Sequence, residues 1–522
     1  MKDIRGFLSK ENIDFLLVNS TNKHLVEYNT LSENSRYFLT NFSGSTGDAL
    51  LSQDCLYLFV DGRYHIQADL EVDKDFVSVV KLQSGHKFID EIIAKIAPNS
   101  TFAIVGEKNS QTQFEAYANR LALKSVKTIL LKNDPFKQIV KKHSNDLFDL
   151  DLKNTGMDFE EKKEILTASL LQNEAVLITN LEDLSYLLNK RDYSKPFNSA
   201  ITARALITKD SSSVFFDDEQ DLYEKALDDY CGKIYVDKSK INAFDYDLII
   251  DKALELIANP ITLMKTIKNE AEINHYRQAF ASTDRAVSAI KNYIETTPNL
   301  SEYDISKKLE EYYFANGAKN LSFNSIVAKN ENSALAHYSK SSESEILGDG
   351  DLVLIDSGAF FEGGLATDIT RVFVVGEADA LQTKVYTTVL KMFLNAYNYS
   401  INSDTTGYDL DNCAREIYEK NKIDGFEFNH GLGHGIGVSV HEYPPNLSKN
   451  DLAKVKLQDK MCFTIEPGLY NEKHFGVRLE NSCYVKDNKI CSFVKMNFEK
   501  KLIDLNMLTE QENQWLKEFE VK

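Results

Sequence analysis

The chain has 522 residues, 43% hydrophobic and 27% charged, which is too long for one ordinary core and apolar enough for roughly two to four packed domains. Its 60 basic and 79 acidic side chains give a formal net charge of −19, which argues against nucleic acid or an anionic membrane as the main partner, since both reward basic patches. No stretch approaches the roughly 18 apolar residues of a spanning helix. The opening Met1-Lys2-Asp3-Ile4-Arg5 is charged before any apolar core, unlike a secretory leader, so the cytoplasm is the expected location. The 6 cysteines are scattered without a Cys-x-x-Cys pair and are expected to be free, mostly buried thiols. Short charge runs, Lys141-Lys142 and Asp217-Asp218-Glu219, are expected to be solvated faces and turns.

In chain order, Phe15-Leu16-Leu17-Val18 is an apolar strand, and Asn19-Ser20-Thr21-Asn22 can cap a helix after it. Arg36-Tyr37-Phe38-Leu39 leads into the turn Gly44-Ser45-Thr46-Gly47, and the strand Leu56–Val60 closes at Asp61-Gly62. The pattern then repeats. Ala175–Ile178 is a strand, Thr179-Asn180 caps a helix through Leu188, and Ala205–Thr208 and Val214–Phe216 are further strands. The shared order of elements predicts a duplication, with a polar connection from Lys132 to Glu160. A third segment opens near Asn259-Pro260. It predicts a helix from Lys265 to Ser288 with Glu270 and Glu272 on its exposed side, further helices to Asn316-Gly317, then the strands Leu352–Ile355 and Val372–Val375. The predicted domains are 1–145, 146–258 and 259–522.

That third segment carries the chemistry. Asp356 stands at the end of an apolar strand, and Asp368 follows twelve residues later across Gly358 and Gly363-Gly364, a hairpin that would bring the two carboxylates together. His434 lies among glycines at 431, 433, 435 and 437, which allow close backbone approach. Glu466 precedes the turn Pro467-Gly468, and Glu480 is expected to end the strand Gly476–Leu479. Taken singly, each acid reads as a surface or ion-pair residue. Together, four carboxylates and one imidazole can hold two divalent cations, an arrangement suited to activating water for hydrolysis. Hard oxygen donors with one nitrogen and no sulfur favour Mn²⁺, with Zn²⁺ or Co²⁺ as alternatives. His337, His430 and His441 are candidates for proton transfer or oxyanion stabilisation. His24, His65, His86, His143 and His275 read as structural, and His474 as a loop residue.

These motifs resemble the pita-bread metallopeptidase family, which includes methionine aminopeptidase, prolidase, creatinase and aminopeptidase P. Within it the chain resembles the cytosolic three-domain aminopeptidases P. The resemblance extends to Arg36 through Gly47, Val60–Tyr64, Thr155-Gly156-Met157, the helix from Leu181 to Leu188 and the tail Leu508–Leu516. It implies two creatinase-like α/β domains ahead of an α+β pita-bread catalytic domain. It also implies that Asp356, Asp368, His434, Glu466 and Glu480 are the metal ligands and that Glu466 takes a proton from water. His337 would hold the substrate carbonyl, His430 and His441 would line the proline side, Arg478 would support the ligands, and Tyr470 would be an outer partner. Three departures stand out. The spacing from Asp356 to Asp368 is one residue longer than the family pattern, Asn481 follows Glu480 where an acid is common, and Lys190-Arg191-Asp192-Tyr193-Ser194 is unusual.

The implied function is removal of the N-terminal residue from peptides with proline second, by a homodimer. A prolidase is the nearest alternative, disfavoured by the duplicated N-terminal region. A non-catalytic peptide-binding module is disfavoured by the complete ligand set.

Overall fold

The computed structural model describes residues 2–83, 85–136 and 147–520. The Lys141-Lys142 run, His143 and part of the expected connection from Lys132 to Glu160 lie outside the described residues. The chain divides into two compact units. One is drawn from 1–145, 158–188 and 200–261, the other from 146–157, 189–199 and 262–522.

The first unit contains two mixed sheets with the same wiring. In one, Phe15–Val18 pairs antiparallel with Asp48–Ser52, which forms a hairpin with Leu56–Val60. On its other side it runs parallel to Thr101–Val105, which is parallel to Lys127–Leu131. In the other, Glu174–Ile178 is antiparallel to Ala203–Ile207, itself in a hairpin with Ser212–Phe216, and parallel to Lys233–Val236, which is parallel to Ala253–Glu255. The first sheet adds Ser78–Lys81 at its edge. Identical pairing in two sequence-divergent halves is the physical content of the predicted duplication. The central strands are almost wholly buried apolar runs, as expected where helices cover both faces.

Several local expectations are corrected. Asn19–Asn22 caps no helix: Asn19 donates to Asp48, and the Asn22 side chain accepts from the backbone of His24 and Val26, closing a turn. The next helix is Ser35–Thr40, capped by Asn34. It carries the buried Arg36, whose guanidinium donates to the carbonyls of Phe42, Gly44, Thr46 and Gly47 and shapes that loop. Asp217 is not simply solvated, since it pairs with Lys23 at 3.1 Å and with buried His24 at 2.8 Å. All six cysteines are free, but only Cys462 and Cys483 are buried. Cys55 and Cys231 are exposed because they occupy the turns ahead of Leu56–Val60 and Lys233–Val236.

The second unit holds the predicted ligands. Its main sheet uses β1 (Ile326–Lys329), β2 (Leu352–Ser357), β3 (Ile369–Val374), β4 (Gly433–Gly435), β5 (Glu442–Leu447), β6 (Cys462–Ile465), β9 (Glu480–Lys486) and β10 (Lys489–Ser492); the short β7 (Gly468–Tyr470) and β8 (Gly476–Arg478) form their own pair. The order is β1-β2-β3-β9-β6-β4-β5, with β10 on β9, and every pairing is antiparallel. Helices α1 (Glu270–Thr296), α2 (Glu302–Ala315), α3 (Ala380–Tyr397) and α4 (Gly407–Lys420) belong to this unit. The core joins Val385, Val389, Met392 and Phe393 of α3 with Leu354 and Val372 of the sheet and Leu410 and Ala414 of α4.

The predicted helix from Lys265 is two helices, Pro260–Thr266 and α1. Asn269 starts α1 through a capping box: its side chain accepts from the Glu272 N–H, and the Glu272 carboxylate accepts from the Asn269 N–H. That role buries Glu272, which was expected to be exposed, whereas Glu270 is exposed. Among the described residues no helix is long and apolar enough to cross a membrane.

Candidate metal centre

Strand pairing assembles the site. β2 and β3 are antiparallel with Asp356 opposite Thr370, and Thr370 in turn lies opposite Glu480 on β9. Asp368 stands one residue before β3. The hairpin between the two aspartates is closed by a turn in which the Gly364 N–H donates to the Phe361 carbonyl. Gly364 has φ +66°, and a side chain there would strike Arg191. Arg191, from the unusual Lys190–Ser194 patch, is buried and donates to the Gly364 carbonyl at 2.9 Å. The patch therefore fastens the hairpin that carries Asp356 and Asp368. Glu480 does not end the preceding strand: Leu479 separates β8 from β9, and Glu480 opens β9.

Ligand atoms of Asp368, His434 and Glu480 all lie within 4.8 Å of one another. Glu466, on the turn after β6, places Oε1 3.6 Å from His434 Nε2, and Asp368 Oδ2 is also 3.6 Å from that nitrogen. Asp356 joins the group through Arg478, whose Nη2 donates to Oδ2 at 2.5 Å. Arg478 Nε is 4.0 Å from Glu466. The Thr370 hydroxyl donates to Glu480 Oε2 at 2.7 Å.

Two observations test whether these residues suit divalent cations. His434 Nδ1 lies 3.1 Å from the Gly435 carbonyl, an acceptor only, so this nitrogen carries the proton. In the neutral imidazole Nε2 then turns its lone pair toward Asp368 and Glu466, as a metal-ligating histidine would. Asp356 Oδ1, Asp368 Oδ1 and Glu480 Oε1 are moreover buried without a hydrogen-bond partner. Burial, and then the neighbouring carboxylates, push the Asp368 and Glu480 carboxyls well above the usual range. Cations would relieve this repulsion, and the donors fit them.

The surrounding groups form a directed relay. His430 Nδ1 is 2.7 Å from the Gly431 carbonyl and must donate, and in the neutral ring Nε2 then accepts from the Tyr470 hydroxyl at 2.8 Å. Tyr470 in turn accepts from Arg478 Nη1 at 2.8 Å. Burial pushes the Tyr470 phenol up to about 12, so it stays protonated as this relay requires. The His441 and His434 rings meet edge to face at 4.3 Å. His337 is half-buried on the loop after the turn Asn330–Ala334. Ser333 of that turn exchanges hydrogen bonds with Gly476, tying the loop to β8 and hence to Arg478.

Residues 274–487 match the model of metallopeptidase family M24, and residues 1–133 and 138–272 each match a creatinase/prolidase N-terminal domain. The segment that carries all five candidate ligands thus resembles metallopeptidase family M24. It is 27% identical to a probable Xaa-Pro aminopeptidase P of Coprinopsis cinerea over 99% of this chain and 93% of that protein. Xaa-Pro aminopeptidase 1 of Dictyostelium discoideum is likewise 27% identical, over 99% of this chain and 91% of that one. A solved X-prolyl aminopeptidase of Caenorhabditis elegans, described as a cytosolic enzyme with a di-nuclear active site, superposes with a TM-score of 0.87 at 22% identity, covering 97% and 90% of the two chains. The M24 segment thus has the pita-bread fold, preceded by two creatinase-type domains. Sequence reasoning missed Thr370 in this M24 site, although the two-residue period of a strand puts it on the same face as Asp368.

Proposed function

We propose that the chain is an Xaa-Pro aminopeptidase of the cytoplasm, working as a homodimer with two Mn²⁺ ions per chain. The observation that carries the reading is the convergence of His434 Nε2 with Asp368 and Glu466, each 3.6 Å away, beside three buried carboxylate oxygens without partners. The names of the full-length relatives supply the substrate class.

In this reading Asp356, Asp368, His434, Glu466 and Glu480 hold the ions, which when bound lower the pKa of water and polarise the scissile carbonyl. Glu466 is the most solvent-accessible of the four carboxylates, with 18% of its side chain exposed, and is suited to take the proton of the attacking water and pass it to the departing nitrogen. Arg478 neutralises Asp356 and orients Tyr470, which fixes the tautomer of His430. His430 and His441 line the space for the proline ring, and His337 holds the carbonyl oxygen. An Xaa–Pro bond has no N–H to donate, so recognition rests on ring contacts and on the carbonyl.

Chelation tests this directly. Removing metal abolishes cleavage of an Xaa-Pro-Yaa peptide, Mn²⁺ restores it, and elemental analysis of the reloaded protein finds two ions per chain. Turnover by protein that elemental analysis shows to be metal-free contradicts the reading.

A further inference from the structure

Beside the metal centre lies a buried ionic cluster to which no role has been given. Glu442 Oε1 is 2.9 Å from Lys268 Nζ, and Oε2 is 3.2 Å from Lys265 Nζ; all three side chains are at most 7% exposed. Such a cluster is weak support for stability, because desolvating three charges offsets most of their attraction. Its location suggests another use.

Glu442 opens β5 and is paired with Gly435, the residue after His434. The β4–β5 register shifts between His434 and Gly435, so the pairing alone leaves this turn irregular. The carboxylate compensates by accepting from the Val438 N–H through Oε2 at 3.1 Å. Other anchors converge on the same loop: the Ala366 N–H donates to the Gly437 carbonyl at 2.8 Å, and the Ser199 hydroxyl donates to the Val438 carbonyl at 3.0 Å. A Cβ at Gly435 would lie 2.2 Å from the Glu442 carbonyl oxygen, and one at Gly437 would lie 1.9 Å from Glu442 Oε1. These two glycines of the His434 motif thus make room for Glu442. On the far side, the Lys268 N–H donates to the Lys460 carbonyl at 3.1 Å, fixing the lysines to the stretch that leads into β6.

We propose that Glu442, held between Lys265 and Lys268, is a positioning residue that locks the 434–441 turn and so sets the edge-to-face geometry of His441 against His434. The function assigned to those two histidines rests on the aminopeptidase reading. The locking of the turn does not.

The test uses the full-length, metal-loaded protein and two variants. Glu442→Gln keeps the shape and removes the charge. Because that leaves two lysines buried without their partner, Lys265→Met/Lys268→Met/Glu442→Leu supplies an apolar replacement that folds if the single variant does not. Two readouts are taken. Hydrogen exchange followed by mass spectrometry should show faster exchange across residues 434–442, with the rest of the chain protected as in wild type. On an Xaa-Pro-Yaa peptide kcat should fall about 10–100-fold, with KM within about 3-fold and two ions per chain retained. The kcat losses of Glu442→Gln and His441→Ala should combine to less than their product, which a merely structural defect would not produce. Unchanged exchange across 434–442, or wild-type kcat in a folded variant, overturns the proposal. A wild-type protein inactive on every Xaa-Pro peptide would sink the function reading alone, and the exchange result would still decide the role of Glu442.

Discussion

The proposed function gives His441 a role that needs no ion. Its ring meets His434 edge-on at 4.3 Å, but it is outside the tight group of Asp368, His434 and Glu480. His441→Ala is therefore expected to keep both ions by elemental analysis while kcat falls by ~10²–10⁴, the usual worth of a positioned acid–base group. Loss of an ion, or near-wild-type turnover, would contradict this assignment. Arg478 is a different case. It serves Asp356, Tyr470 and Thr370 at once from a buried position, so Lys, with no planar fork, cannot replace it. The expectation for Arg478→Lys is a drop in kcat and in metal occupancy together, read by kinetics and elemental analysis on the same sample. Full occupancy with normal kcat would show that the bridge to Asp356 is dispensable.

The β2–β3 hairpin is packed from behind by α1. His275 of α1 stands against Gly363, where a Cβ would come within 2.4 Å of the ring. Burial, reinforced by Arg191, lowers the imidazole from 6.5 to about 4. The unfolded chain takes up this proton below about pH 6.5 and the folded chain does not, so the stability from this group is complete above pH 6.5. It is lost as the pH falls through the window from 6.5 to about 4, up to about 3 kcal/mol in all. Denaturant midpoints measured across that window should fall more steeply for wild type than for His275→Gln, and parallel slopes would refute it. The sequence marked His275 as structural but held no sign of this pH sensitivity, which comes from burial and from Arg191, both set by long-range packing. Much else was legible for a plain reason. The candidate ligands sit at strand ends and turns, where apolar runs stop against glycine or proline, and that punctuation survives in one dimension. The break at Asn269 and the burial of Glu272 were overlooked because a capping box inside a continuous helical period looks like exposed helix. Glu442 was invisible for the opposite reason: its partners, Lys265 and Lys268, lie far away in sequence.

Across the whole molecule, the two sheets of the first unit show how a duplicated topology outlasts its sequence: strand direction is constrained by burial on both faces, whereas side-chain identity is not. The compact units, by contrast, were not readable, because residues 146–157 and 189–199 leave the first unit to join the second. Leu147–Asp149 pairs there with Lys190–Asp192, a long-range contact with no local signal. Symmetric two-fold dimers are the commonest soluble assembly. Light scattering at micromolar concentration is expected to give twice the 59.3 kDa chain mass, and a monomer mass would reject the dimer.

The proposed activity is cleavage of the bond before a proline in second position, from a peptide with an unblocked N-terminus. Mass spectrometry of the products from Arg-Pro-Pro, Arg-Ala-Ala, N-acetylated Arg-Pro-Pro and Arg-Pro tests it most directly. Arg is expected to be released from Arg-Pro-Pro, with far slower cleavage of Arg-Ala-Ala and none of the acetylated peptide. Equal rates on the proline and alanine tripeptides would contradict it, and cleavage of Arg-Pro alone would make the chain a prolidase.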